Sequence, residues 1–144
     1  MLKMLLGILL FSTAFGNDSV SNLTIEFENV QSTSGQFLVG FYADQESWLK
    51  RKPFREILVP KDKLVNGKMR FSINNLTHGT YGIAVLDDAN GNETVDFGWI
   101  FPKEGFGFSN YYHNSLRLPR FSDFEFNLVE DKVITVKFRY LKTF

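Results

Sequence analysis

The chain has 144 residues, 16 Lys plus Arg against 16 Asp plus Glu, and no Cys. A formal net charge of zero excludes the excess of Lys and Arg on which phosphate neutralisation rests, so no nucleic-acid partner is expected. With 16 Phe, 5 Tyr and 2 Trp in a composition that is 44% hydrophobic, the chain is not disordered, and its length is that of one domain of the usual roughly 100 to 200 residues.

Residues 1–16, MLKMLLGILLFSTAFG, place Lys3 ahead of an apolar run from Met4 to Phe11, and small residues follow, ending at Ala14 and Gly16. This is the order of a secretory signal, and the apolar part falls short of the ~20 residues of a membrane-spanning helix. The expected organisation is a signal peptide over 1–16 and a single domain over 17–144, secreted or periplasmic, with no transmembrane segment after cleavage.

From Leu23 the pattern has period two. Leu23, Ile25 and Phe27 alternate with Thr24, Glu26 and Glu28, and after Ser34-Gly35 the alternation resumes at Phe37, Val39 and Phe41, which reads as a hairpin. Asp44 is placed to cap a short helical turn through Trp48 and Leu49 that Pro53 ends. Ile57 to Val59 reads as a short strand, and Asn66-Gly67 as a two-residue turn before Met69, Phe71 and Ile73. Asn74 to Gly79 reads as a turn. Tyr81, Ile83 and Val85 then alternate with Gly82 and Ala84, whose small side chains suit a strand with something lying close against its second face. Finally, Phe124, Phe126 and Leu128 read as a strand paired through Glu130-Asp131 with Ile134, Val136, Phe138 and Tyr140.

About seven short strands define an all-β fold, a single antiparallel β-sandwich, with a closed barrel as the alternative that periodicity does not separate from it. Between Leu86 and Phe121 roughly 34 residues lack alternation, far beyond the usual loop of about 4 to 6, so one long irregular loop is expected to carry any site.

That loop opens Asp87-Asp88-Ala89-Asn90-Gly91-Asn92-Glu93-Thr94-Val95-Asp96. Oxygen-bearing side chains recur at Asp88, Asn90, Asn92 and Asp96, and alternate residues of a curled loop can aim oxygens at one Ca2+ ion, which takes six to eight of them at about 2.4 Å. Trp99 stands where an EF-hand loop has its bidentate Glu, so a further acidic ligand is needed, and Glu104 or Asp87 is placed to supply it. The alternative is a polar turn in which these oxygens bond nearby backbone amides. Next come Phe97, Trp99, Phe101, Phe106, Phe108, Tyr111 and Tyr112, seven aromatics within sixteen residues. As exposed rings, Trp99, Phe106, Phe108, Tyr111 and Tyr112 would offer a surface to a carbohydrate or an envelope protein. As buried rings, they would close the end of the sandwich instead.

No catalytic constellation is specified. A Cys nucleophile is impossible, and His113 with Ser109, Ser115 and Glu104 forms a hydrolytic group only on paper, with no nucleophile elbow around it. His78 reads as a surface turn residue. The cluster Lys50, Arg51, Lys52 and Arg55 reads as a solvated face. The protein is therefore expected not to be an enzyme.

The chain resembles the DUF2141 family of uncharacterised secreted and periplasmic bacterial proteins. The resemblance is carried by Asn75-Leu76, by Gly79 to Val85, by Asp88-Ala89-Asn90-Gly91-Asn92 with Asp96, Gly98 and Pro102, by Lys103 to Asn110, and by Pro119, Phe121 and Phe126. It implies a transthyretin-like or carboxypeptidase-regulatory-like β-sandwich and no assigned activity. His78 stands where the family often has Pro, and Asp87 where His is frequent. Two functions are thus expected to compete: a non-catalytic secreted module with calcium in the 88–96 loop and a ligand on the loop aromatics, or a purely structural or protein-interaction domain of the cell envelope.

Overall fold

The computed structural model describes residues 16, 18–92 and 104–141. The expected signal segment lies outside the described residues except for Gly16, and Asn17, Asp96 and Trp99 also lie outside them. Eight strands and two short helices follow in the order β1 (Val20–Glu28), β2 (Gln36–Tyr42), α1 (Gln45–Leu49), β3 (Arg55–Pro60), β4 (Met69–Thr77), β5 (Gly79–Asp88), β6 (Phe106–Phe108), α2 (Phe121–Phe124), β7 (Glu125–Leu128) and β8 (Lys132–Lys137). They form two sheets, one ordered β4-β1-β8 and the other β3-β2-β5-β6, with β7 also on β5. No described helix is long and apolar enough to cross a membrane.

Period two placed the strands but not their partners. The alternations flanking Ser34-Gly35 are not a hairpin, because β1 pairs with β4 and β8 while β2 pairs with β3 and β5. Likewise β7 pairs with β5, and β8 pairs with β1 in parallel, so Glu130-Asp131 links two sheets rather than two paired strands and the sandwich is not wholly antiparallel. The physical reason is that an inward apolar row fits either sheet equally well, since both bury the same face. The Asn74 to Gly79 turn is also shorter than expected: β4 runs on to Thr77, with Asn75 absorbing a φ of 57°.

Between the sheets lies a core of Leu23, Ile25, Phe27, Phe37, Val39, Phe41, Ile83, Val85, Leu128, Ile134, Val136 and Phe138, among others. Phe37 stacks on Phe27 at 4.4 Å and on Phe138 at 5.2 Å, joining both sheets. Each such ring contributes about 1.5–3 kcal/mol by leaving water.

The larger sheet is also covered on its outer face. Asp44 caps α1 by accepting from the Ser47 N–H at 2.7 Å, and the helix holds Trp48 against Tyr42, Phe108 and Phe124 at ring separations of 5.0, 5.6 and 5.2 Å. The Trp48 indole donates to the Pro119 carbonyl at 2.8 Å. The small residues of β5 are thereby explained, since a Cβ at Gly82 would come within 2.5 Å of Phe121 and 2.7 Å of Phe124. Gly82→Ala should therefore lose about 1–3 kcal/mol through overpacking. Gly79→Ala, whose Cβ would meet Tyr81 at an ordinary 3.7 Å, should lose less, and urea unfolding of the two variants checks the difference.

Candidate functional site

The expected long loop is structured at its C-terminal side. Phe106 to Phe108 form β6, which continues the edge of β5 beyond the place where β7 ends: Gly82 faces Glu125, and Ala84 faces Phe108. Ser109 sits at the handover, fully buried, where its Oγ accepts from the Ile83 N–H at 3.0 Å and reaches the Phe124 carbonyl at 2.5 Å. Across the gap between sheets, Phe106 exchanges backbone bonds with Arg139 at 3.0 and 2.8 Å, and Thr135 donates to the Asn110 side chain at 2.9 Å. One side of the sandwich is thus seamed by β6. The glycines of Gly105-Phe106-Gly107 permit this seam, since a Cβ at Gly105 would lie 2.3 Å from Tyr140 and one at Gly107 would lie 2.6 Å from Val136.

Alternation along β6 then decides the fate of its rings. Phe106 and Phe108 are buried with Trp48, Phe121 and Phe124, so these two residues are core and not part of an exposed platform. Tyr111 is half-buried and Tyr112 is 48% exposed, with the Lys137 Nζ 5.3 Å from its ring centre.

At the end of β5 the strand leaves the core through two buried carboxylates, Asp87 and Asp88, each 1% exposed. Asp87 pairs with Lys61, itself buried, and accepts from the Tyr140 hydroxyl at 2.6 Å. The Lys61 ammonium also donates to the Ser32 and Ser34 carbonyls at 3.0 and 2.7 Å and lies 5.1 Å from the centre of the Phe37 ring. Burial, and then the bond to Asp87, push the Tyr140 hydroxyl above its ordinary range, so it stays a donor. Asp88 accepts from the Gln36 amide and from the Asn92 N–H, both at 3.2 Å.

The two ends of the 89–103 segment meet here. Asp87 N–H donates to the Gly105 carbonyl at 2.7 Å, and the Glu104 carboxylate accepts from the backbone N–H groups of Asn90 and Ala89. Burial raises the Glu104 pKa, and the nearby Asp88 and Asp87 carboxylates raise it further against those hydrogen bonds. A carboxyl held above its ordinary range binds its proton more tightly folded than unfolded, so its contribution to stability declines as pH rises through the folded pKa. A cation at the neck would oppose that trend by favouring the ionised form.

Of the expected metal ligands, Asp88, Asn90, Asn92 and Glu104 are brought to this neck, while Asp96 lies outside the described residues. The Asn92 N–H donates to both Asp88 Oδ1 and Asn90 Oδ1, at 3.2 and 3.0 Å, which are the bonds of a polar turn. Among the described residues, no group of three His, Cys, Asp or Glu is placed to hold a metal ion by itself.

Lys61, Tyr140 and Gln36 escaped the sequence reading. A signal did exist for two of them: Lys61 continues the inward parity of Ile57 and Val59, and Tyr140 that of Ile134, Val136 and Phe138. Lys61 was hidden because a polar residue at the end of an apolar row reads as the row's end, and Tyr140 reads only as the last member of its strand's apolar row, with no role for its hydroxyl.

The hydrolytic group drawn on paper does not assemble around free side chains. His113 is buried, with Nε2 donating to the Arg117 carbonyl and Nδ1 3.5 Å from the Tyr111 hydroxyl, and Ser115 accepts from the Arg117 N–H. His78 is half-buried and bonded through Nε2 to Ser21 Oγ at 2.7 Å. In the basic cluster, Lys50 pairs with Glu46, Arg51 lies 4.2 Å from the Trp48 ring centre, and Arg55 lies 5.7 Å from that of Phe41.

A family model described as an uncharacterized protein conserved in bacteria, DUF2141, matches residues 25–137. No curated protein and no solved structure matches. The chain belongs to the DUF2141 family, and the match spans both sheets, the loop and the seam.

Ser109 is assigned to the fold by its geometry. Ser109→Ala would leave the buried Ile83 N–H without its acceptor and should lose about 1–3 kcal/mol in denaturant unfolding.

Proposed function

We propose that this member of the DUF2141 family is an exported, non-catalytic β-sandwich module whose working part is the segment rooted at the β5 neck. In this reading calcium enters the neck through Asp88, Asn90, Asn92 and Glu104 together with Asp96, and orders the segment. The observation that supports it is the local charge: Asp87, Asp88 and Glu104 stand near one another, and Lys61 is committed to Asp87. The Asp88 and Glu104 carboxylates repel each other across the neck, and a divalent cation would relieve that repulsion. In the same reading Trp99, Tyr111 and Tyr112 offer aromatic surface to a carbohydrate or an envelope protein, and the buried Phe106 and Phe108 back Tyr111 from the core.

A second reading, a metal-free structural or protein-interaction domain of the envelope, is favoured by the polar-turn bonds that Asn92 N–H makes to Asp88 and Asn90. Melting curves separate the two. Free calcium at about 100 times its Kd should add about 2.7 kcal/mol of stability. The gain should shrink towards acid pH, where protons compete for the carboxylates, and vanish with chelator and in Asp88→Ala. Identical curves in calcium and chelator would remove the metal and leave the second reading. For the aromatic surface, a glycan or envelope fraction retained by the wild type should be released by Trp99→Ala and Tyr112→Ala.

A further inference from the structure

We propose that the Lys61 and Asp87 side chains condense into an intramolecular amide, cross-linking the residue that follows β3 to β5. Three features of the site carry this inference. The amine and the carboxyl are in contact, and each side chain is 1% exposed, so both reactants are held together where bulk water does not compete. Groups positioned in this way reach effective molarities of about 10⁵–10⁸ M. Condensation also replaces two buried charges, each costly to keep from water, with one neutral amide.

The surroundings fit the chemistry. The Tyr140 hydroxyl donates to Asp87 Oδ2 at 2.6 Å, so it polarises the carboxyl and would hold the negative charge that develops on that oxygen. The Phe37 ring lies 5.1 Å from Nζ and walls one side of the pair. The Ser32 and Ser34 carbonyls, which now accept from Nζ, belong to half-buried and exposed residues, so water can replace the bonds the amide no longer makes.

The step balances without any outside reagent. One ammonium proton passes to Asp87 Oδ1, giving a neutral amine and a neutral acid. The nitrogen lone pair then attacks Cγ and forms a tetrahedral centre whose Oδ2 is held by Tyr140. A second proton moves from nitrogen to Oδ1, the Cγ–Oδ1 bond breaks, and Oδ1 leaves as water. Nitrogen keeps its third hydrogen in the new N–Cγ amide. For a domain without cysteine, such a bond would do the work of a disulfide in tying two strands of one sheet.

Mass spectrometry of the purified full chain tests the proposal. The intact mass should fall below that of the same chain uncrosslinked by one water, about 18 Da. Trypsin should fail to cut after Lys61 and should release residues 56–63 joined to residues 71–103 as one branched peptide. Lys61→Arg and Asp87→Ala should restore the full mass. A wild-type chain at full mass, cut by trypsin after Lys61, would overturn the proposal whether or not either variant folds, and would leave Lys61 and Asp87 as an ion pair.

Discussion

Enclosure of β5 on every side is the constraint on which the rest depends. β2 lies along one edge, β7 and β6 share the other end to end, the interior core covers one face, and Trp48, Phe121 and Phe124 cover the other. A strand so enclosed has to satisfy each backbone group within the protein, which is why Ser109 supplies a side-chain acceptor where β7 stops and β6 begins. It also has to leave the core at some point. Its exit at Asp87 and Asp88 puts carboxylates where water is scarce, and Lys61, Tyr140 and Gln36 answer them.

Glycine keeps the exit narrow. Gly35, at φ 74°, lies so near the Asp88 carbonyl that a Cβ would stand 2.0 Å from it, and Gly105 allows Tyr140 to approach from the opposite side. The segment between residues 89 and 103 therefore departs from and returns to one fixed point, closed by Asp87 N–H on Gly105 and by Glu104 on Ala89 and Asn90.

Much of the fold was legible in the sequence and some of it was not, for definite reasons. Alternation located the strands and the Asp44 cap located α1, because both are local properties of the chain. Pairing was not local. Ser34-Gly35 has the composition of a hairpin turn, yet it carries the chain from one sheet to the other. β6 was invisible because three residues, two of them flanked by glycine, give too short a pattern to read. At the site, the acidic and amide residues of the 88–92 stretch were apparent from their spacing, whereas Lys61 and Tyr140 come from distant segments and meet Asp87 only once three inward rows end at the same place. The Phe-rich stretch was ambiguous on composition alone, and the register of β6 against β5 resolved it by turning Phe106 and Phe108 towards Trp48.

Rigidity at the exit of β5 is what the proposed function requires, since a loop rooted there would act from a fixed point only if Asp87, Ala89 and Asn90 stay closed in the native state. Native-state hydrogen exchange reads this directly at the Asp87 amide, which donates to Gly105 at 2.7 Å, against the Ile83 amide deep in the same strand. Both amides should exchange only through global unfolding, with the same free energy and the same denaturant dependence. Exchange at Asp87 by local opening, well below the global free energy and insensitive to denaturant, would contradict a closed neck.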